Sequence, residues 1–167
     1  MPEPVLCTSL LEKIREQIER TSHLIGLVPS EQLTWTPGPG AWTVGELLGH
    51  LLECMAGFCA VLAAAEPQRL AHFLELRELP VNHECSPAEA AARIAIYGAH
   101  IEEGFRLLTD ADLALRLPTV FVPQGEPLLT LLLGNLEHLI NHKHQLFTYL
   151  KQMGVPVATP DLYHFRA

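Results

Sequence analysis

Four long segments of helical periodicity constrain the fold of this 167-residue chain more than any other feature. In the first, from about Val5 to Val28, apolar residues recur mostly every three or four positions with charged residues between them. The others run from about Thr43 to Ala65, from about Pro87 to Leu108, and from Pro127 to about Met153. Because strands do not alternate with them, the pattern predicts an all-α four-helix bundle forming one domain over residues 1–167.

Short local signals mark where these helices begin and end. Thr43 and Glu46 have the spacing of a capping box, in which each side chain accepts from the other residue's amide. Ser86 is an N-cap residue followed by a proline at the first helical position. Gly154 is expected to end the last helix.

The remaining segments are turn-rich. The connection from Thr109 to Glu126 contains one strand-like run, Thr119–Val122, which predicts half of a short hairpin before the last helix. By position alone, Thr119–Gln124 is a candidate lid over a site. A short helix is expected over Gln68–Leu76, and residues 157–167 are predicted to form an irregular tail on the surface.

Charge and composition exclude several classes of protein. The net charge is −8, and no run of lysine or arginine exists, so we expect neither nucleic acid nor an anionic membrane as a partner. The apolar run Cys54–Ala65 is too short for a membrane span and suits a buried helix. The cysteines form no CxxC pair and no signal peptide opens the chain, which predicts free thiols and a cytoplasmic protein.

Three of the nine histidines form a candidate metal site. His138 and His142 are four residues apart, so they lie within about 40° of each other on one helix face and could bind one ion. His50 lies among apolar residues of the second helix, and facing helices of a bundle can share ligands. Imidazole donors suit zinc, nickel, iron or copper, and the spacing of the histidines does not choose among these metals. The alternative is a set of ordinary core or pocket histidines.

The other histidines are weaker candidates. His144 should point away from the site, towards the surface or an interface. His100 could line a pocket with Tyr97 and Glu103, or lie on the surface. Four more fall in exposed or irregular stretches and carry no functional prediction: His23, His72, His83 and His164.

Two sequence motifs carry a resemblance to a known family. Residues 35–51, WTPGPGAWTVGELLGHL, resemble the opening motif of the DinB-like (YfiT-like) metalloprotein superfamily, W-x-P-x4-W-[ST]-[VI]-x2-[LI]-[LIV]-x-H-[LI]. Residues 138–154, HLINHKHQLFTYLKQMG, are similar to its closing motif, H-x3-H-[RK]-x-Q-L-x2-Y-L-R-x2-G. Many members have Arg-Gly after the last histidine, where this chain has Lys143 and His144, which puts any role of that arginine in doubt here.

The resemblance implies an up-down-down-up four-helix bundle, usually a homodimer, with one divalent metal ion held by His50, His138 and His142. Characterised relatives of this kind include transferases that use low-molecular-weight thiols such as bacillithiol or mycothiol, and a thiol-dependent maleylpyruvate isomerase. The first expectation is therefore a metal-dependent thiol S-transferase acting on a small-molecule substrate. A metal-dependent hydrolase and a non-catalytic metal-binding module are the alternatives.

Two further residues could assist such a site. Asn135, one turn before His138, could orient a ligand or simply pack between helices. Cys54, four residues after His50, could approach the metal as a fourth ligand, although a buried unreactive cysteine is the preferred interpretation. Trp35 and Trp42 are expected to pack their loop onto the bundle.

Overall fold

The predicted helical bundle is confirmed by the computed structural model, which describes residues 5–120 and 122–163. The described residues form four long helices, α1 (Val5–Gly26), α2 (Val44–Ala65), α3 (Pro87–Phe105) and α4 (Leu128–Gln152). Short 3-10 helices lie in the connections, at Ser30–Gln32, Ala71–Glu78 and Asp112–Ala114. The second of these occupies the region where a short helix was expected.

The local signals at the helix ends are confirmed. Thr43 Oγ1 accepts from the Glu46 amide at 3.2 Å, and a Glu46 carboxylate oxygen accepts from the Thr43 amide at 2.7 Å. Ser86 Oγ accepts from the Glu89 amide at 3.2 Å, which starts α3. Gly154 has a φ of +83°, a conformation that favours glycine and ends α4.

Helix α2 packs against both α3 and α4. The Cys59 thiol lies 3.8 Å from the Tyr97 carbonyl oxygen, and Leu62 contacts Gly104 further along, so α2 and α3 run in the same direction. Helix α4 runs the opposite way, because Asn135 contacts Gly57 while His142 meets His50 near the start of α2. The first turns of α2, which carry His50, therefore pack against the part of α4 that carries His142.

The connection before α4 contains the expected hairpin, but its strands were wrongly placed. Strand β1 is Arg116–Leu117 and strand β2 is Glu126–Pro127, paired antiparallel. The described residues of Thr119–Val122 lie in the loop instead. The Thr119 amide donates to the Val122 carbonyl at 3.2 Å, and the prolines on both sides of this run lack the amide hydrogen that a strand ladder needs.

The described part of the tail, residues 157–163, is more ordered than expected. Thr159–Leu162 form a short helix, α5, where an irregular segment was predicted. Lys143 is buried and its ammonium donates to the Leu162 carbonyl at 2.8 Å and to Gln17 Oε1 at 2.7 Å. A buried cation with these two acceptors attaches the tail to α1 and α4. His164 lies outside the described residues.

One helix in the described part of the chain, Val44–Ala65, is long and apolar enough to cross a membrane. Of its most apolar window, 56% is buried inside the protein. Twelve of its residues, from Val44 to Leu62, are buried, and all of them except two glycines carry hydrophobic side chains. Burial of this kind is what the core helix of a bundle requires.

Candidate metal centre

Three histidine rings from α2 and α4 meet at one point. His50 Nε2 lies 3.0 Å from His138 Nε2 and 3.1 Å from His142 Nε2. The ring planes are steeply inclined, at 71° to 80° to one another, so the rings converge edge-on rather than stack. The i, i+4 spacing on α4 and the antiparallel approach of α2 together produce this arrangement.

The arrangement fits a divalent metal ion. With metal–nitrogen bonds of about 2.0–2.1 Å, nitrogens on one ion are separated by about 3.0–3.4 Å, which matches the observed spacing. Among the described residues, no fourth Cys, Asp or Glu atom joins this group. Three imidazole nitrogens without a fourth protein ligand are the pattern of an open metal site.

The contacts of His50 Nδ1 determine which ring nitrogen of His50 carries the proton. His50 Nδ1 lies 2.8 Å from Asn82 Oδ1 and 3.0 Å from Glu53 Oε2. A carboxylate oxygen can only accept, so Nδ1 carries the proton in the neutral ring. The Nε2 lone pair therefore faces the other two histidines.

A chain of hydrogen bonds fixes His142 in the same way. The Tyr149 hydroxyl donates to the Trp42 carbonyl at 3.2 Å, and Gln145 Nε2 donates to that hydroxyl at 3.1 Å. Gln145 Oε1 is then left to accept from His142 Nδ1 at 2.8 Å. Since the carbonyl can only accept, the direction of the whole chain is determined and His142 Nε2 presents its lone pair. These outer contacts are typical of histidines that bind metals.

The surroundings of His138 and His142 favour the neutral form of both rings. Burial, followed by the neighbouring His50, lowers the pKa of His138 below its usual value of 6.5. Burial likewise lowers the pKa of His142, against a smaller opposing effect of the hydrogen bond to Gln145. Neutral imidazole is the form that binds metals, so both rings are ready to do so at neutral pH.

A pocket of about 280 Å³ opens beside the histidines and is lined by Trp42, Glu46, His50, Glu53 and Asn82. The Trp42 ring lies 4.4 Å from the His50 ring and 5.5 Å from the His142 ring, centre to centre. Trp42 thus covers two of the three histidines, a role beyond the expected packing of its loop. None of the described residues of Thr119–Gln124 lines this pocket, and the lid over the site stays a prediction.

The other sequence candidates lie away from the three nitrogens. Cys54 is 1% exposed, and burial raises the pKa of its thiol to about 12, as expected of an unreactive cysteine. The Asn135 amide packs against the backbone of α2 at Gly57. His100 packs on Phe73, at 4.9 Å between ring centres, and does not line the pocket beside the histidines.

The histidines without a functional prediction make surface contacts. His144 is exposed, as predicted. His23 pairs with Asp161 at 2.7 Å, and His72 lies 3.1 Å from a Glu103 oxygen. His83 is the exception, because it belongs to a second cluster of ligand-type side chains.

Sequence reasoning missed three residues that hold the candidate ligands. Glu53 and Gln145 each follow a ligand histidine by three residues on the same helix, a spacing that brings side chains together and could have identified both. Asn82 is 32 residues from His50 and carries no comparable local signal.

Fold and site together define a class: helical bundles whose interior carries a three-histidine group that could hold a metal ion. The family model of the DinB superfamily matches residues 13–146, so the chain belongs to the DinB superfamily. Two solved structures are similar in fold, the DinB-like protein YjoA from Bacillus subtilis and a DinB-like protein from Bacillus cereus ATCC 10987.

The likeness to both structures extends over most of the chain. The Bacillus subtilis protein is 18% identical, with a TM-score of 0.67 over 89% of this chain and 96% of that one. The Bacillus cereus protein is 21% identical, with a TM-score of 0.67 over 89% of this chain and 95% of that one. A comparison with curated proteins finds no match.

Proposed function

We propose that this protein binds a divalent metal ion, zinc or nickel first, through His50, His138 and His142, and acts as a metal-dependent transferase of a low-molecular-weight thiol. The observation that carries the proposal is the convergence of the three Nε2 atoms, with the two determined tautomers directing lone pairs inward. A bound ion with an open position lowers the pKa of a thiol and so supplies the thiolate nucleophile.

The surrounding residues support access by a small molecule. The pocket beside His50 is small, with a volume near the lower end of the range of about 300–1,000 Å³ that is usual for ligand sites. Trp42 provides an apolar wall, and the Glu46 and Glu53 carboxylates provide acceptors at the pocket's edge. A short thiol with a polar end fits this combination better than a large apolar substrate does.

The hydrolase alternative has one specific observation in its favour. Glu53 lines the pocket and its side chain is 43% exposed, so a carboxylate stands near the histidines. A carboxylate in this position could act as a general base on water. Glu53 Oε2 also lies 3.0 Å from His50 Nδ1, and this contact supports a role in orienting His50 more directly than a role as a base.

A thiol titration separates these functions. Protein loaded with Co²⁺ or Ni²⁺ would be titrated with cellular thiols while the visible spectrum of the metal is recorded. We expect a thiol-dependent spectral change that is lost in His142→Ala and kept in His144→Ala, an exposed histidine two residues away.

The result of the titration distinguishes the three candidate functions. A metal spectrum that no thiol changes would overturn the transferase. Thiol-independent hydrolysis lost in Glu53→Gln would favour the hydrolase, and metal binding without either effect would favour a non-catalytic module. A cytoplasmic location and a homodimer stay predictions.

A further inference from the structure

A second cluster of ligand-type side chains lies in the loop before α3. His83 and Cys85 come from this loop and Glu89 from the first turn of α3, and their ligand atoms lie within 4.8 Å of one another. His83 Nε2 is 2.9 Å from Glu89 Oε1. None of these three residues belongs to the histidine group described above.

The loop is held against α2 by its backbone. The Cys85 amide donates to the Gly45 carbonyl at 3.0 Å, and the Asn82 amide donates to the Gly49 carbonyl at 3.1 Å. A Cβ on Gly49 would overlap the His83 carbonyl, so glycine is required for this close approach. The three side chains are therefore presented by fixed backbone rather than by a loose surface loop.

Within the residues that the structure describes, one atom of this cluster lacks a partner, whereas the Cys85 thiol donates to the Ser86 carbonyl at 3.4 Å and Glu89 is paired with His83. Cys85 is 1% exposed, and His83 and Glu89 are half-buried. His83 Nδ1 is buried and has no hydrogen-bond partner within the described part of the chain. Buried polar atoms without partners are uncommon in native structures, and an ion or water is one usual explanation.

The three donors suit a borderline-soft divalent ion. Imidazole, thiolate and carboxylate are the ligand types of zinc sites, whereas magnesium and calcium prefer oxygen alone. The thiolate and carboxylate together balance the charge of the ion, and the proton of the Cys85 thiol passes to solvent on binding. Arg93 Nη1 lies 3.8 Å from Glu89 and opposes the ion, which makes binding here weaker than at a site free of such a cation.

We propose that His83, Cys85 and Glu89 form a second metal site, specific for Zn²⁺ or a chemically similar divalent ion. An ion there would fix the loop that carries Asn82, the residue hydrogen-bonded to His50. The proposal does not rest on the thiol transferase, because the two sites share no ligand.

Cobalt absorption tests this site separately from the three-histidine group. Metal-free full-length protein, kept reduced with a phosphine rather than a thiol, would be titrated with Co²⁺. Only the second site contains sulfur, so its occupancy would give a sulfur-to-cobalt charge-transfer band in the near ultraviolet. We expect this band in the wild type and in the His138→Ala/His142→Ala double variant, together with an additional equivalent of bound cobalt in the wild type.

The controls use other buried positions. Cys85→Ser should abolish the band and the additional equivalent, whereas Cys59→Ser, which removes a buried thiol of α2, should keep both. Glu89→Gln and His83→Ala should each weaken cobalt binding at this site at least tenfold, and they serve as the test if Cys85→Ser does not fold. Absence of the band in the wild type, or its persistence in Cys85→Ser, would overturn the proposal.

Discussion

His50 Nδ1 lies 2.8 Å from Asn82 Oδ1, and Asn82 adopts a φ of 55° in making this contact. Within residues 5–120 and 122–163 it is the one non-glycine residue with a positive φ. Asparagine tolerates this conformation better than most residues do, and its side chain supplies the acceptor. Asn82 therefore has two functions: its backbone adopts a conformation that few residues tolerate, and its side chain orients His50.

Substitutions at Asn82 should separate these two properties. Asn82→Gly keeps the backbone but removes the nearer of the two acceptors of His50 Nδ1, so we expect zinc affinity to fall about tenfold with little loss of stability. Asn82→Asp keeps both and should retain most of the affinity. Asn82→Ala should lose affinity and about 1 kcal/mol of stability as well. Zinc competition with a chromophoric chelator and thermal unfolding measure the two effects, and unchanged affinity in Asn82→Gly would contradict the orienting role.

Gln145 should affect metal binding because it holds the proton of His142 on Nδ1. Gln145→Ala removes the acceptor of His142 Nδ1, and we expect about a 10–100-fold loss of zinc affinity. Gln145→Glu keeps an acceptor and should preserve the affinity within a few-fold. Gln152→Ala, at the exposed end of the same helix, is the matched control. Equal affinities in Gln145→Ala and the control would rule out this role.

Lys143 should affect stability and not metal binding. Burial lowers the pKa of Lys143, and its ammonium is paired with Gln17 Oε1 and the Leu162 carbonyl. Lys143→Met leaves both acceptors without their donor, which should cost about 1–3 kcal/mol of unfolding free energy. Lys151→Met, on the exposed surface of α4, should cost less. Chemical denaturation and metal content would be measured together, and loss of the metal in folded Lys143→Met would contradict the assignment.

The metal-free protein should become less stable as the pH falls below 6.5. The pKa values of His138 and His142 are lowered in the folded protein, so the unfolded chain binds more protons in this range. Stability is then fully present above pH 6.5 and decreases towards the lowered pKa values. The His138→Ala/His142→Ala variant should show a smaller decrease than His144→Ala, as measured by urea unfolding at several pH values. Identical pH profiles would contradict the lowered pKa values.

Features set by near neighbours in the chain were predictable. The capping residues Thr43 and Ser86 depend on amides three positions away, and the pair His138 and His142 follows from one helical turn. His50 was included in the predicted metal site because of its apolar surroundings and the family resemblance. Sequence spacing alone does not show that α2 and α4 are neighbours.

Features set by tertiary contact were not predictable. Asn82 reaches His50 only because Gly45 and Gly49 let the loop lie along α2. The run Thr119–Val122 has strand propensity, but it is flanked by prolines, and its described residues lie outside the two strands. In both cases, contacts outside the local pattern decide the structure.

The central claim is that His50, His138 and His142 hold one metal ion. Elemental mass spectrometry would measure the metal content of tag-free wild-type protein and of the three single alanine variants, with His144→Ala as the exposed control. The Cys85→Ser background removes the second proposed site from the count. In that background we predict about one ion per chain, lost in each of the three variants and kept in His144→Ala. No metal in the parent protein, even after zinc, nickel and iron are added, would contradict the claim.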